Sequence, residues 1–337
     1  MRETPTDVLP TLDGAASANA TRELPRKWTL HRLNNGVIFG LTVSGARHLP
    51  RPASYGLGRA VMWLAWRLMR DTNAALVSNL RAVLPQESTK ALQRRALDTY
   101  RSYALDTVDF LRAMSASPRE LDDTFDMQPQ DRAILESALA LGRGAILITG
   151  HYGNWEAGGL LMQHALGLPL TVVAMAEANA EVNRLRHEIR RRMNIETLEV
   201  RQSLDTALQL RRVLAANRFV ALLGDRHLGR DRVEVTLFGR RVWFLHTPAL
   251  LAALTGAPLI PVFIERIARG RFRGQAAPPI HVDRDTDRNS AIKDATQRFA
   301  TLLEDRIRSH PEFWYQFYPY WNAHAPDGVG PMPLPSR

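Results

Sequence analysis

The chain lacks cysteine, and several common sequence signals are also missing from its 337 residues. Without cysteine it forms neither disulfides nor thiolate metal sites, which fits a reducing compartment. Lysine is scarce, since only Lys27, Lys90 and Lys293 occur, and arginine therefore supplies most of the positive side chains behind the net charge of +10. No Gly-x-Ser-x-Gly sequence occurs, so the nucleophile elbow of serine hydrolases is excluded.

Long uninterrupted apolar runs are also scarce. Residues 1–24 are polar and have no apolar core, so the sequence shows no signal peptide. The longest apolar run covers residues 247–264, which is near the length needed to span a bilayer. Because Pro258 and Pro261 divide this run, it predicts a helix followed by a buried strand.

The positive charge limits the partners that the chain can have. Arginine suits bidentate binding of phosphate or carboxylate groups. A basic balance is compatible with nucleic acid, with an anionic membrane surface or with an acidic carrier protein. The basic residues are scattered along the chain and no nucleic-acid motif occurs. We therefore expect no nucleic-acid partner.

Short apolar runs and helical patterns alternate along the second half of the chain. Strands and helices that take turns predict an α/β fold with a central, mostly parallel sheet flanked by helices. The predicted strands cover residues 145–149, 170–174, 197–200, 219–223 and 259–264. The predicted helices lie near residues 181–193, 204–216, 248–254 and 290–309.

The first third of the chain predicts helices instead, and one of them has an unusual surface. On a helix over 57–70, Arg59, Arg67 and Arg70 fall within roughly 80° of one another, and most of the remaining wheel is apolar. This pattern is typical of an interfacial membrane helix, and a core helix with one wet side shares it. We predict a disordered tail over 1–25, a helical membrane-associating region over 26–115, an α/β domain over 116–322 and a flexible tail over 323–337.

Residues 150–156, Gly-His-Tyr-Gly-Asn-Trp-Glu, connect a predicted strand to a predicted helix. His151 therefore lies at the carboxyl end of a strand, where open α/β sheets bind their ligands, and Asn154 is placed to cap the helix. One continuous helix would set His151 and Glu156 roughly 140° apart, whereas an elbow with Gly153 at its turn lets the two meet. An imidazole held by a carboxylate is a general base for a hydroxyl, although residues that only cap the helix have the same spacing.

The sequence His-Tyr-Gly-Asn-Trp-Glu over 151–156 resembles the H-x4-D/E motif of the lysophospholipid acyltransferase superfamily. Its H-x-G-N-W-E form is typical of late lipid A acyltransferases and of phosphatidylinositol mannoside acyltransferases. The resemblance covers about residues 28–321 and is closest at 151–156 and 225–263. It implies an α/β acyltransferase in which His151 is the catalytic base and Glu156 its acidic partner, with no metal or cofactor.

The same resemblance implies further residues that bind substrate. Gly153 and Asn154 lie inside the motif, and Arg184 follows the second predicted strand, where the family is thought to meet the acceptor's phosphate or head group. The others follow the strand at 219–223 or form the next turn, namely Asp225, Arg226, Phe238, Gly239 and Arg240. The alternative for residues 238–240 is an ordinary hairpin turn. Residues 190–192 are all arginine, and we expect them to form a solvated helix face.

An aromatic cluster over residues 310–321 follows the last predicted helix. Such a cluster either folds back over the core or lies at a membrane interface. Its density departs from the pattern of the lipid A enzymes, which leaves the identity of the acceptor open.

The resemblance implies a membrane-associated O-acyltransferase. It would move a fatty acyl chain from a thioester on acyl carrier protein or coenzyme A to a hydroxyl of a lipid acceptor, either lipid A-like or another glycolipid. A phosphatidylinositol mannoside or other phospholipid acceptor is the alternative, and a basic, non-enzymatic membrane-binding module is another. Because the first region lacks the membrane span of many lipid A enzymes, we expect peripheral attachment at the cytoplasmic face of the bacterial inner membrane.

Overall fold

A computed structural model describes residues 49–113, 121, 124–175, 183–184, 187–188, 190–191, 195–199 and 204–325. The predicted tail over 1–25, most of the predicted tail over 323–337, and much of the predicted helix near 181–193 lie outside these residues. None of the helices in the described ranges is long and apolar enough to cross a membrane.

A seven-stranded sheet forms the centre of the molecule. Its strands are β1 (Phe125–Met127), β2 (Ala145–Thr149), β3 (Leu170–Ala174), β4 (Glu196–Glu199), β5 (Phe219–Leu223), β8 (Leu259–Ala268) and β9 (Arg271–Ala276). They lie in the order β1-β9-β8-β2-β5-β3-β4, and every neighbouring pair is parallel except β8 and β9, which are antiparallel. The mostly parallel central sheet is thus confirmed.

A separate antiparallel hairpin and a set of helices complete the fold. The hairpin joins β6 (Val233–Leu237) to β7 (Arg240–Phe244). The helices are α1 (Arg51–Leu68), α2 (Arg70–Val83), α3 (Thr89–Ala113), α4 (Pro129–Ala140), α5 (Trp155–Leu160), α6 (Leu204–Ala215), α7 (Thr247–Thr255), α8 (Arg288–Ser309) and α9 (Tyr320–Ala323). A π-helical turn, Leu161–Ala165, continues α5.

The run at 247–264 folds as its prolines predict. Helix α7 ends at Gly256, whose φ of 72° is the left-handed conformation that commonly ends a helix. Strand β8 begins three residues later at Leu259, where the sheet takes over the backbone hydrogen bonds. A helix followed by a buried strand is therefore confirmed.

Helix α1 packs on α3 with one side only. The hydroxyl of Tyr55 donates to Asp109, and the ring of Trp66 meets the ring of Tyr100 edge-on at 5.8 Å. The chain leaves helical geometry at Met69, with φ −100° and ψ 64°, before α2 begins. The helix predicted over 57–70 is therefore present but begins earlier and ends two residues sooner.

The largest core cluster lies between the sheet, α7, α8 and the segment after α8. Helix α8 buries one apolar side, with Phe299, Leu303 and Ile307 at 0 % exposure. Trp314 and Tyr320 of the aromatic cluster are also buried, at 2 % and 0 % exposure. The cluster thus folds back over the core, which decides between the two alternatives for it.

Candidate active site

The register of the sheet brings two loops together at its carboxyl edge. Strands β2 and β5 are parallel neighbours in which Thr149 is paired with Leu223. His151 and Asp225 each lie two residues beyond these paired positions, so their side chains meet. The intervening glycines permit the close approach: a Cβ on Gly224 would lie 2.6 Å from Cδ1 of Ile148.

The carboxylate of Asp225 holds both the backbone and the ring of His151. Its Oδ1 lies 2.7 Å from Nδ1 of the ring, and its Oδ2 accepts the backbone N–H of His151 at 2.9 Å. Asp225 has no solvent exposure, whereas 17 % of the His151 side chain is exposed. The imidazole is therefore fixed at one nitrogen while part of the ring still reaches solvent.

Charge and hydrogen bonding keep Asp225 ionised in spite of its burial. Burial alone would raise the pKa of this carboxyl, but the charge and hydrogen bonds of His151, with the charge of Arg226, lower the pKa of Asp225 to about 2. An ionised carboxylate accepts hydrogen bonds and cannot donate them. When the ring is neutral, Nδ1 of His151 must therefore carry the proton, and Nε2 is then the basic nitrogen.

The turn after His151 requires glycine at position 153. Gly153 has a φ of 60°, and a Cβ there would collide with the carbonyl oxygen of Ile264. Its N–H donates to the carbonyl of Phe313 at 2.9 Å, and the next N–H, of Asn154, donates to Ile264 at 2.9 Å. Strand β8 and the segment after α8 thus fix the elbow from two sides.

Asn154 caps helix α5, as the sequence predicts. Its Oδ1 accepts the N–H of Ala157 at 3.1 Å, and its Nδ2 donates to the carbonyl of Asp106 at 3.0 Å. The N–H of Gly158 also bonds within the elbow, to the Asn154 carbonyl at 3.2 Å. Gly153 and Asn154, predicted to bind substrate, have these structural contacts, and substrate binding by them stays a prediction.

Glu156 contacts an arginine that the sequence placed in solvent. Nη2 of Arg190 lies 2.8 Å from Oε1 and 3.1 Å from Oε2 of Glu156. Only 10 % of the Arg190 side chain and 16 % of the Glu156 side chain are exposed. The expected solvated face is therefore wrong for Arg190, although Arg191 is exposed as predicted. Position 192 lies outside the described residues, and the His151–Glu156 dyad stays a prediction.

Arg226 is held beside the site by Gln316, a residue that the sequence analysis did not single out. Nε and Nη2 of Arg226 donate to Oε1 of Gln316 at 3.1 Å and 2.6 Å. Its guanidinium also lies over the ring of Tyr318, 4.9 Å from the centroid. Nε2 of Gln316 in turn donates to Oδ2 of Asp225 at 2.9 Å. Asp225 and Arg226, predicted to bind substrate, thus belong to one network around His151.

The remaining predicted residues lie on two other elements. Phe238 and Gly239 form the β6–β7 turn with φ values of 50° and 72°, and the Phe238 N–H donates to Glu304 of α8. Arg240 lies over the ring of Trp321, 5.5 Å from its centroid. Arg184 is exposed. The hairpin alternative describes residues 238–240 correctly, and their contact with a substrate stays a prediction.

Fold and site together define a class: an α/β protein whose histidine–carboxylate pair stands at the carboxyl edge of a mostly parallel sheet. Within that class, residues 21–323 match the family of bacterial lipid A biosynthesis acyltransferases, and the chain belongs to this family. The phosphatidylinositol mannoside acyltransferase of Mycolicibacterium smegmatis is 31 % identical over 195 residues, which cover 57 % of this chain and 62 % of that protein. The Mycobacterium tuberculosis H37Rv enzyme of the same name is 30 % identical over 190 residues, covering 56 % and 58 %. The alignments thus span about three fifths of the relatives' length.

Proposed function

We propose that this chain transfers a fatty acyl group from a thioester to a hydroxyl of a lipid acceptor, with His151 as general base. The contact of 2.7 Å between Nδ1 of His151 and Asp225 carries the proposal, because it leaves Nε2 as the basic nitrogen. Family membership supports acyl transfer as the reaction. The chain has no cysteine, so no cysteine acyl-enzyme intermediate can form.

The proposed reaction is a direct displacement. Nε2 of His151 takes the proton of the acceptor hydroxyl while the hydroxyl oxygen attacks the thioester carbonyl carbon. The C–S bond then breaks, and the leaving thiolate takes the proton back from the imidazolium. Asp225 stays ionised throughout and stabilises the imidazolium. The N–H groups of Gly153, Asn154, Ala157 and Gly158 are engaged within the fold, so the proposal assigns none of them to the oxyanion.

Donor and acceptor are proposed by class. The donor is a thioester of acyl carrier protein or coenzyme A, whose acidic groups suit a chain with a net charge of +10. The acceptor is a glycolipid, either lipid A-like or a phosphatidylinositol mannoside. The mycobacterial relatives are named for the latter, which favours a phosphate-bearing glycolipid.

The deciding experiment is mass spectrometry of membrane lipids from cells with the gene, without it, and with His151→Ala. We expect one lipid to lose an acyl chain in both the deletion and the variant, because neither has the base. The deacylated lipid identifies the acceptor. An unchanged set of lipids would refute the enzyme and favour the basic membrane-binding module.

Glu156 is the acidic residue of the predicted dyad, and it also forms an ion pair with Arg190. Two variants distinguish a catalytic role of Glu156 from a role in this ion pair. Glu156→Gln removes the charge from the carboxyl group, whereas Arg190→Gln removes only its partner. Loss of transfer in Glu156→Gln alone would support a catalytic role for this carboxylate in addition to that of Asp225. Equal losses would assign the function to the ion pair, and wild-type rates in both variants would remove Glu156 from the mechanism.

We further propose that α1 attaches the protein to an anionic membrane surface. Its outward side exposes Leu57, Trp63, Leu64 and Leu68 to between 46 % and 68 %. Of the ten exposed large hydrophobic side chains in the described residues, five lie between positions 49 and 68. Apolar side chains that alternate with arginines fit a bilayer interface, where the rings and chains enter the lipid and the cations meet phosphates.

The arginines of this outward side support the choice of partner. Arg59 and Arg67 are exposed, and the guanidinium of Arg67 lies over the Trp63 ring, 5.0 Å from its centroid. A cation held beside an apolar ring can remain at the head groups while the ring lies deeper. Placement at the cytoplasmic face of the inner membrane is part of this proposal.

A further inference from the structure

We propose that Gln316 is a positioning residue that holds Asp225 in the orientation and charge state that make His151 a base. The inference rests on the proposed role of His151. It starts from the position of Gln316, which has no solvent exposure and lies between Arg226 and Asp225. The side chain of Gln316 hydrogen-bonds to Arg226 and to Asp225, so its effect on His151 passes through the carboxylate.

The orientation of the Gln316 amide follows from its neighbours. A guanidinium has donors and no acceptor. Because Arg226 donates twice to one end of the amide, that end must be the oxygen. The NH2 end must then face Asp225, to whose Oδ2 it donates at 2.9 Å. The reversed amide would place donor against donor on one side and oxygen against carboxylate on the other.

This orientation favours one protonation state of the site. A donor aimed at Oδ2 stabilises the carboxylate over the protonated acid. With Oδ2 engaged by Gln316 and by the His151 backbone, Oδ1 is the oxygen that meets Nδ1 of the ring. The ring is therefore held in the Nδ1–H tautomer. Arg226 fixes Gln316, Gln316 fixes Asp225, and Asp225 fixes His151.

The backbone that carries Gln316 is itself anchored by Asn79 of α2. Nδ2 of Asn79 donates to the carbonyls of Gln316 and Tyr318 at 2.9 Å and 2.7 Å. Its Oδ1 accepts a hydrogen bond from the backbone N–H of Tyr320 at 3.1 Å, and the backbone carbonyl of Asn79 accepts one from the Nε1–H of Trp321 at 3.3 Å. Every hydrogen-bonding end of this buried side chain thus holds residues 316–321, which supports a fixed position for Gln316.

Two variants and one control test the proposal. Gln316→Leu removes the donor and keeps much of the volume, whereas Gln316→Glu keeps the shape and adds a negative charge. Gln297→Leu is the control, because Gln297 also makes two hydrogen bonds, to the backbone of Thr236, but lies partly exposed on α8. Thermal unfolding of all three establishes that each variant is folded.

The first measurement is nitrogen NMR of histidine-labelled protein, with the His151 signals assigned from the spectrum of His151→Gln. We expect the Nδ1–H tautomer in the parent and in Gln297→Leu, and a second tautomer in Gln316→Leu. An Nδ1–H tautomer that persists unchanged in Gln316→Leu overturns the proposal. This measurement needs no substrate, so it separates failure of this inference from failure of the proposed acyl transfer.

The second measurement is the pH profile of acyl transfer. In Gln316→Leu we expect kcat to fall about tenfold with KM changed less than twofold, because only the base is disturbed. In Gln316→Glu the added charge stabilises the imidazolium, so the acid limb of kcat/KM moves up by about one pH unit. A loss of kcat with an unmoved acid limb in Gln316→Glu and an unchanged tautomer in Gln316→Leu would make the role purely structural and refute the proposal.

Discussion

Two regions of this protein meet their surroundings in opposite ways. At the carboxyl edge of the sheet, both oxygens of Asp225 have partners inside the fold, and the residue is completely buried. Along α1, by contrast, Trp63 and Leu64 each keep 51 % of their surface exposed, on a helix whose other side packs well. The first region has the partners that its charge needs, whereas the second has apolar surface that the described residues leave exposed.

The two regions are expected to affect two different processes, the chemical reaction and the binding to a membrane. In the proposed reaction, the buried carboxylate of Asp225 acts through His151, because its hydrogen bonds decide which ring nitrogen carries the proton. Exposed apolar side chains contribute little to folding but favour transfer to a lipid phase. Changes in the first region should therefore alter the rate of chemistry at constant membrane binding. Changes in the second should alter binding while the isolated site stays intact.

The largest expected effect comes from Asp225→Asn. An asparagine keeps the shape but can present its NH2 group to Nδ1, which would then have to accept and would leave Nε2 protonated. We expect kcat to fall by about a thousandfold or more, as the wrong tautomer does in other histidine–aspartate systems. Steady-state transfer with a soluble short-chain thioester measures this without a membrane.

Asp294→Asn provides the matched control, because Asp294 lies exposed on α8. We expect it to retain the parent rate. Asp225→Asn should also bind vesicles as the parent does, which is the part of the result that sharpens the comparison. If Asp225→Asn transferred acyl groups at a rate within tenfold of the parent rate, the result would contradict the role proposed for Asp225.

Much of the fold follows from local patterns, and the reason is visible at the central strands. Strands β2, β3 and β5 have the predicted bounds because each is a short apolar run buried in a parallel sheet. Strand β1 has only three residues, and β9 alternates polar with apolar side chains and includes a glycine, so neither produces such a run. Both pair at one edge of the sheet through long-range contacts that no local pattern encodes.

The site divides in the same way. His151 and the cap at Asn154 follow from one local stretch, whereas Asp225 joins them only through the register of β2 and β5. The sequence marks Asp225 as following a strand, and that signal was sufficient to place it at the same edge but not to pair it with His151. Gln316 lies 91 residues beyond Asp225 and has no local signal apart from its aromatic neighbours. The prediction that Arg190 is exposed is wrong because a run of arginines is typical of a solvated helix face.

The exposed side of α1 provides the next test of the comparison. In Trp63→Ser/Leu64→Ser, we expect binding to vesicles of phosphatidylglycerol and phosphatidylcholine to weaken about tenfold or more, because two half-exposed apolar side chains are lost. Cosedimentation over a range of lipid concentrations measures the change. Transfer to a soluble acceptor should stay at the parent rate, since neither residue contacts the site network.

Leu141→Ser/Leu254→Ser is the control, because these leucines are similarly exposed, at 48 % and 45 %, on other elements. We expect it to bind vesicles as the parent does. Added salt should weaken parent binding through Arg59 and Arg67, as screening reduces attraction to anionic head groups. Equal losses in both double variants would show that general hydrophobicity, and not this side of α1, directs binding.

The smallest expected effect is on stability, and it concerns a second group of hydrogen-bonded polar side chains beside the site. Nδ1 of His324 lies 2.8 Å from Nδ1 of His227, and its Nε2 lies 2.8 Å from the hydroxyl of Tyr318. Burial holds the pKa of His324 well below 6.5, and the charges of His227 and Arg226 lower it further, whereas Asp225 opposes them. Folded His324 therefore stays neutral where the unfolded chain takes up a proton.

The sign of the pH dependence follows from this difference. Below pH 6.5 unfolding takes up a proton at His324, so its contribution to stability is complete above that pH and falls by about 1.4 kcal/mol per pH unit below it. Urea unfolding of His324→Gln at pH 7.5 and 5.5 should show a smaller loss than the parent, whereas exposed His281→Gln should match the parent. Burial raises the pKa of Asp109 to about 6, so the contribution of Asp109 to stability changes with pH in the opposite direction. Asp109 is present in the parent, in His324→Gln and in His281→Gln, so its contribution cancels when they are compared. Equal losses in His324→Gln and the parent would mean that folded His324 titrates normally and that this group of polar side chains is open to solvent.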